Sequence, residues 1–384
     1  MRYVAAHTTI PIPHIYHHGT AAENPTGLGP FIIMDYIDHD QNMSRELHDP
    51  ARPDKRSILD PDVSEEKLEM LYGQMANILL QLSSLSFPIG GSLVEGDGAD
   101  CTSVGGRPLI ANMAHLCVHT NAPASILPPS QTYHSSNEWY RALADMHMAQ
   151  LALQHNDAVD DEDDARDKYV ARQLFRNVAA ENRIMPGALG SDNQFRMFSE
   201  DFRPANVLLD KDLQVVGVID WEFAYAAPAQ FSYDPPWWLV LREPEDWPGG
   251  LRLWIETYEP RLRIFLRALE SEEKKMTARN LDDGPAEQPL SKRMRESWEK
   301  RVWMINYAAR NSWAFDFIWW KFLDESYFGP NEDQDHSIRL ELLSEPQREV
   351  MDEFVARKMK ESTDKRIVTW EPEEASACVA KVLV

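Results

Sequence analysis

Phe198-Ser-Glu-Asp-Phe-Arg-Pro-Ala-Asn-Val-Leu-Leu-Asp210, followed by Val218-Ile-Asp-Trp-Glu222, is the stretch that decides the fold. Residues 207–209 and 215–219 are short apolar runs around Asp210-Lys211-Asp212, which is the signature of a β-hairpin. Asp201 and Asn206 stand just before the hairpin, and Asp220 just after it. A hairpin returns the chain to its starting point, so the three side chains are expected to share one end of it. Phosphoryl transfer needs a carboxylate to take the acceptor's proton, hard oxygens to hold magnesium, and a cation to spread charge. Asp201 fits the first role, and Asn206 with Asp220 the second. The plainer alternative is three turn residues, since Asp and Asn favour turns.

Working outward, Ser64 is a good helix N-cap with Glu65 and Glu66 in the first turn. Leu68, Leu71, Met75, Ile78, Leu79 and Leu82 continue with helical spacing until Phe87-Pro88. A second helix is expected over 137–155. Residues 94–106 read as a loop. A long amphipathic helix is expected from Ser291 through Trp298, Ile305, Trp313 and Trp320. Upstream, the Pro-punctuated residues 10–19 and Phe31-Ile-Ile-Met-Asp-Tyr-Ile37 read as two strands. Two strands alone do not make a stable sheet. The acidic run Asp160–Asp164 reads as a solvated helix start. His14, His17 and His18 read as surface or packing histidines, and the tryptophans near residues 237–238 and 303–320 as core.

The chain has 384 residues with 39 basic and 62 acidic side chains, a formal charge of −23. That balance argues against nucleic-acid binding and against an anionic membrane surface. Cys101, Cys117 and Cys378 make neither a disulfide framework nor a zinc cluster. No apolar run reaches membrane-spanning length, and the first residues lack a signal-peptide core. The expectation is a soluble, cytoplasmic protein.

The 198–222 stretch resembles the catalytic loop and metal loop of protein kinase-like enzymes. More closely, it is similar to the aminoglycoside phosphotransferase and choline kinase group, and above all to fungal aminoglycoside phosphotransferase-domain proteins. Thr8-Thr-Ile-Pro-Ile-Pro13, Gly29-Pro-Phe-Ile-Ile-Met-Asp-Tyr-Ile37, Gln154-His-Asn-Asp157 and Pro235-Pro-Trp-Trp238 extend the resemblance over most of residues 1 to about 330. It implies an α+β, protein kinase-like two-lobed fold with an incomplete N-lobe and a large, mainly helical C-lobe. Residues 1–40 would be the N-lobe remnant with the hinge, and 41–384 the C-lobe. An exposed insertion near 271–290 and a tail after about 330 complete the expected layout.

The resemblance also implies roles. Asp201 would be the catalytic base, with Asn206 and Asp220 holding Mg2+. Arg203 would steady the phosphoryl group or the Asp201 carboxylate. Met34, Asp35, Tyr36 and Ile37 would form the hinge and meet the adenine of ATP. The acceptor would be a hydroxyl of a small molecule. Two features depart from the family pattern. Ser199 stands where the family usually has His, and residues 1–40 contain neither a lysine nor a glycine-rich phosphate loop. Met1-Arg-Tyr-Val4 resembles the tail of the helix that should carry the N-lobe glutamate. The expectation is therefore a chain that starts mid-lobe, either because a first exon is missing from the gene model or because this is a degenerate, non-catalytic kinase.

Overall fold

The computed structural model describes residues 1–52, 57–96, 102–127, 130–184, 194–279 and 288–384. The chain packs as two compact units. Residues 1–86, 196–223 and 232–297 form the first, and 87–195, 224–231 and 298–384 the second. The fold is α+β, with helices dominating and strands confined to small antiparallel sheets.

The first unit is built on two long helices, Glu65–Ser84 and Gly250–Arg279, packed against each other. The first starts where Ser64 accepts the Lys67 N–H at 3.2 Å, with Glu65 and Glu66 complementing the helix dipole. Leu68, Leu71, Met75, Ile78 and Leu82 form its buried face. Tyr72 continues that face, and its hydroxyl donates to the Leu239 carbonyl at 2.6 Å. From Tyr72 a ladder of edge-on aromatic contacts runs through Phe265 and Trp238 to Phe202, with ring centroids 5.8–6.2 Å apart. Edge-to-face geometry adds about 0.5–1.5 kcal/mol per pair beyond area burial. Phe202 follows Asp201 directly, so the helical core anchors the loop that carries the expected base.

The expected strand pairs form, shorter at residues 15–19 and 31–34 than the sequence suggests, and a strand at Gln41–Asn42 was not expected. Ile15–Gly19 pairs antiparallel with Phe31–Met34. Val207–Leu209 pairs with Val215–Val218, and Gln41–Asn42 adds a third strand on the Val207–Leu209 edge. The hairpin turn is an Asx turn. Asp210 Oδ1 accepts the Asp212 and Gln214 N–H groups at 2.9 Å each.

In the second unit the helices Ser136–Leu153 and Glu162–Ala180 pack together, and the C-terminal helices Glu345–Asp364 and Pro372–Val382 lie against them. The acidic run is a helix start, with Asp161 as N-cap accepting the Asp164 N–H. Arg172 is buried and forms a two-pronged ion pair with Asp316 at 2.7 and 3.0 Å. Trp303, Trp319 and Trp320 are core residues, while Trp313, expected in the same core, is exposed.

Some expectations are corrected. The helix expected to run unbroken from Ser291 to Trp320 is three helices, Leu290–Glu299, Val302–Arg310 and Ser312–Ile318, continued by a wider turn over Trp319–Leu323. Arg301 takes a left-handed backbone (φ 58°) and turns the chain at the first break. Residues 94–106, expected to be a loop, instead contribute to a strand pair, Ser92–Glu95 with Thr102–Gly106; residues 97–101 lie outside the described residues. Of the stretch near 271–290, residues 271–279 are the last turns of the Gly250–Arg279 helix and 280–287 lie outside the described residues.

Candidate active site

The site grows from the end of the 207–218 hairpin. Ile219 N–H donates to the Asn206 carbonyl at 3.0 Å, closing the ladder one step beyond the Val207–Val218 pair. That bond sets Asp220, the next residue, beside Asn206. Asp220 has φ 61°, a left-handed conformation that Asp tolerates and most residues do not. Trp221 folds under the turn, with its indole N–H bonded to the Val218 carbonyl at 2.9 Å.

On the other side, Pro204–Asn206 is a single 3-10 turn led by proline. It brings Asn206 back onto Asp201. Asn206 Nδ2 donates to the Asp201 carbonyl and to Asp201 Oδ2, both at 2.8 Å. Both donors of the amide are directed inward, so the amide oxygen is left as the acceptor face. Arg203 Nε lies 2.7 Å from Asp201 Oδ1 without an aligned N–H···O bond, so the contact is an ion pair. Both side chains are partly open to solvent, which limits such a pair to about 0–1 kcal/mol.

The electrostatics tie the fourth member in. The Asp220 carboxyl is raised above its usual range, first by burial and then by the Asp201 charge, with Arg203 acting against the shift. Glu222 is raised by burial, then by Asp220 and Asp201. Like charges that lift one another's pKa mark a place where a cation is favoured. Sequence reasoning quoted Glu222 but gave it no role. Its signal was the second acid, two residues after Asp220.

The hinge residues reach the hairpin through Ile37. A Cβ on Gly217 would lie 2.5 Å from Ile37 Cδ1, so only glycine lets Ile37 rest on the strand. Asp40 N–H then bonds to the Leu209 carbonyl at 2.8 Å. Asp35 is tied to the neighbouring strand, donating its N–H to His14 O at 3.0 Å and accepting the Tyr16 hydroxyl at 2.6 Å. Met34 and Tyr36 are exposed. Among the described residues the Ile37 N–H has no hydrogen-bond partner. The structure thus joins Asp201, Arg203 and Asn206 directly and brings the Asp220 charge to bear on them, while Met34 ends the adjoining strand, Asp35 and Tyr36 follow it, and the segment meets the hairpin through Ile37 and Asp40.

Sequence reasoning missed a clamp on the hairpin. Gln74, on the Glu65–Ser84 helix, accepts the Val215 N–H at 2.8 Å and donates to the Leu213 carbonyl at 2.9 Å. Nothing local in the sequence marks it, because its partners lie about 140 positions away.

Among the described residues no three His, Cys, Asp or Glu side chains gather as a metal cluster. One carboxylate and one amide oxygen beside further acids nevertheless form a hard-oxygen donor set that suits magnesium completed by phosphates.

Residues 1–253 match the phosphotransferase enzyme family (APH). The chain belongs to that family, within the protein kinase-like superfamily. The match contains residues 34–37, the hairpin and all four loop residues. No curated protein matches the sequence. Among the described residues no helix is long and apolar enough to cross a membrane.

Proposed function

We propose that this phosphotransferase-family protein transfers the γ-phosphoryl group of ATP, with magnesium, to a hydroxyl of a small molecule. The observation that carries the reading is the double hydrogen bond from Asn206 to Asp201 beside Asp220. In this reading Asp201 takes the acceptor's proton, and Asn206 fixes its carboxylate through Oδ2. Arg203 holds the other Asp201 oxygen and adds positive charge near the transferred group. The Asn206 amide oxygen and the Asp220 carboxylate would hold magnesium, which supplies charge neutralisation at the phosphates. Ile37, with its unpaired N–H on the hinge, would meet the adenine.

An acceptor with a positive charge suits the Asp201, Asp220 and Glu222 cluster. Amino-sugars and choline-like alcohols are therefore the first compounds to try. The test is ATP consumption by the full chain with magnesium and a panel of cationic and neutral alcohols. Acceptor-dependent ADP release supports the reading. Nucleotide binding without turnover on any acceptor would favour a non-catalytic binding protein, and no nucleotide binding would overturn both.

A further inference from the structure

The second unit holds a partly open pocket of about 170 Å³, well separated in sequence from the 198–222 loop. The Ser136–Leu153 helix forms one wall and the C-terminal Pro372–Val382 helix another. Met113, Ile126, Met146 and Leu383 give it a mainly apolar lining. A cavity of about 150 Å³ is large enough to accept benzene.

Of the polar side chains on this wall, Arg107, Tyr133 and Trp139 can donate. Trp139 is 2% exposed, and its buried indole N–H has no acceptor among the described residues. An unpartnered buried donor costs about 1–3 kcal/mol, so its retention asks for an explanation. Tyr133 stands edge-on to Trp139, with ring centroids 4.5 Å apart. Burial pushes its hydroxyl pKa up to about 12, with the Arg107 charge opposing, so at neutral pH it keeps its proton and can donate. Arg107 uses one nitrogen on the Ala124 and Leu127 carbonyls, which holds the guanidinium at the cavity. Asp145, the carboxylate on the wall, is taken by Arg176 at 2.7 Å. Three donors from Trp139, Tyr133 and Arg107 thus line a mainly apolar space, with Gln131 and Asp145 as the other polar side chains on its wall.

We propose that this cavity binds a compact apolar carboxylate of about benzoate size. The ligand's oxygens would take the Trp139 N–H, the Tyr133 O–H and the Arg107 guanidinium, and its apolar body would lie against the methionines. The site is independent of the nucleotide chemistry proposed above and is read without nucleotide.

The experiment is a calorimetric titration of the full chain with benzoate and with toluene, its uncharged counterpart in size. The indole N–H signals of ¹⁵N-tryptophan-labelled protein are followed in parallel. Benzoate should saturate one site and shift the Trp139 indole signal. Toluene should bind about tenfold more weakly or worse, the weight of one hydrogen bond to a charged group. Trp139→Phe should weaken benzoate by about tenfold, and half-buried Arg107→Gln should do so without depending on the core. Three results would overturn the proposal. They are benzoate producing no saturable heat, toluene binding as well as benzoate, and a Trp139 signal that stays unmoved, which would mean that water alone satisfies it.

Discussion

Asn206 holds Asp201 at two points, donating one amide group to its carbonyl and its carboxylate at 2.8 Å each. Asn206 is buried. Asn206→Leu would leave a carbonyl and a carboxylate oxygen without their donor, costing about 1–3 kcal/mol. A drop in Tm of about 2–6 °C by scanning calorimetry is the expected outcome. Asn206→Asp should be worse, because it faces one carboxylate with another. An unchanged Tm in both would show that the loop is held elsewhere.

Gln74 ties the hairpin turn to the helical core through Val215 and Leu213. Gln74→Leu keeps the bulk and removes both bonds. We expect a loss of about 1–2 kcal/mol in denaturant unfolding. Gln74→Glu keeps the acceptor for the Val215 N–H and should recover part of it. Amide exchange at Val215 is the local readout, and it should speed up in the Leu variant.

His147 is completely buried, between the rings of Phe175 and Phe315 and against the Ala309 carbonyl at 2.9 Å. Burial, then the Arg172 charge, lowers its pKa from 6.5 to about 3. The folded chain therefore keeps His147 neutral while the unfolded chain protonates it below about 6.5. Stability from this residue is full above that pH and is lost as the pH falls towards 3. His147→Gln cannot take up that proton, so its Tm should fall less between pH 7 and 4 than that of the unaltered protein. Parallel Tm curves over that range would assign the acid sensitivity to other groups.

The hairpin, the Ser64-capped helix and the convergence of Asp201 with Asn206 were legible because each rests on local pattern. Alternation around a polar turn fixes the first, and a cap followed by helical spacing fixes the second. Arg301 shows the opposite case. It turns the chain left-handed where the sequence has neither glycine nor asparagine. A purely local reading runs the helix straight through. Gln74 escaped for a similar reason, since both its partners are supplied by tertiary folding. Gly217 and Glu222 did leave signals, a glycine inside an apolar strand and an acid two residues past Asp220.

The division of labour between Asp201 and Asp220 is tested most directly by two variants measured side by side. Asp201→Asn keeps the shape and removes the base, while Asp220→Ala removes a magnesium ligand. Calorimetric titration with Mg·ATP and turnover with the best acceptor from the panel are the two readouts. We predict that Asp201→Asn lowers kcat by about 10²–10⁴ while Mg·ATP affinity stays that of the unaltered protein. Asp220→Ala should weaken Mg·ATP binding itself. Equal loss of nucleotide affinity in both variants, or full turnover in Asp201→Asn, would contradict the assignment of base and metal ligand to these two carboxylates.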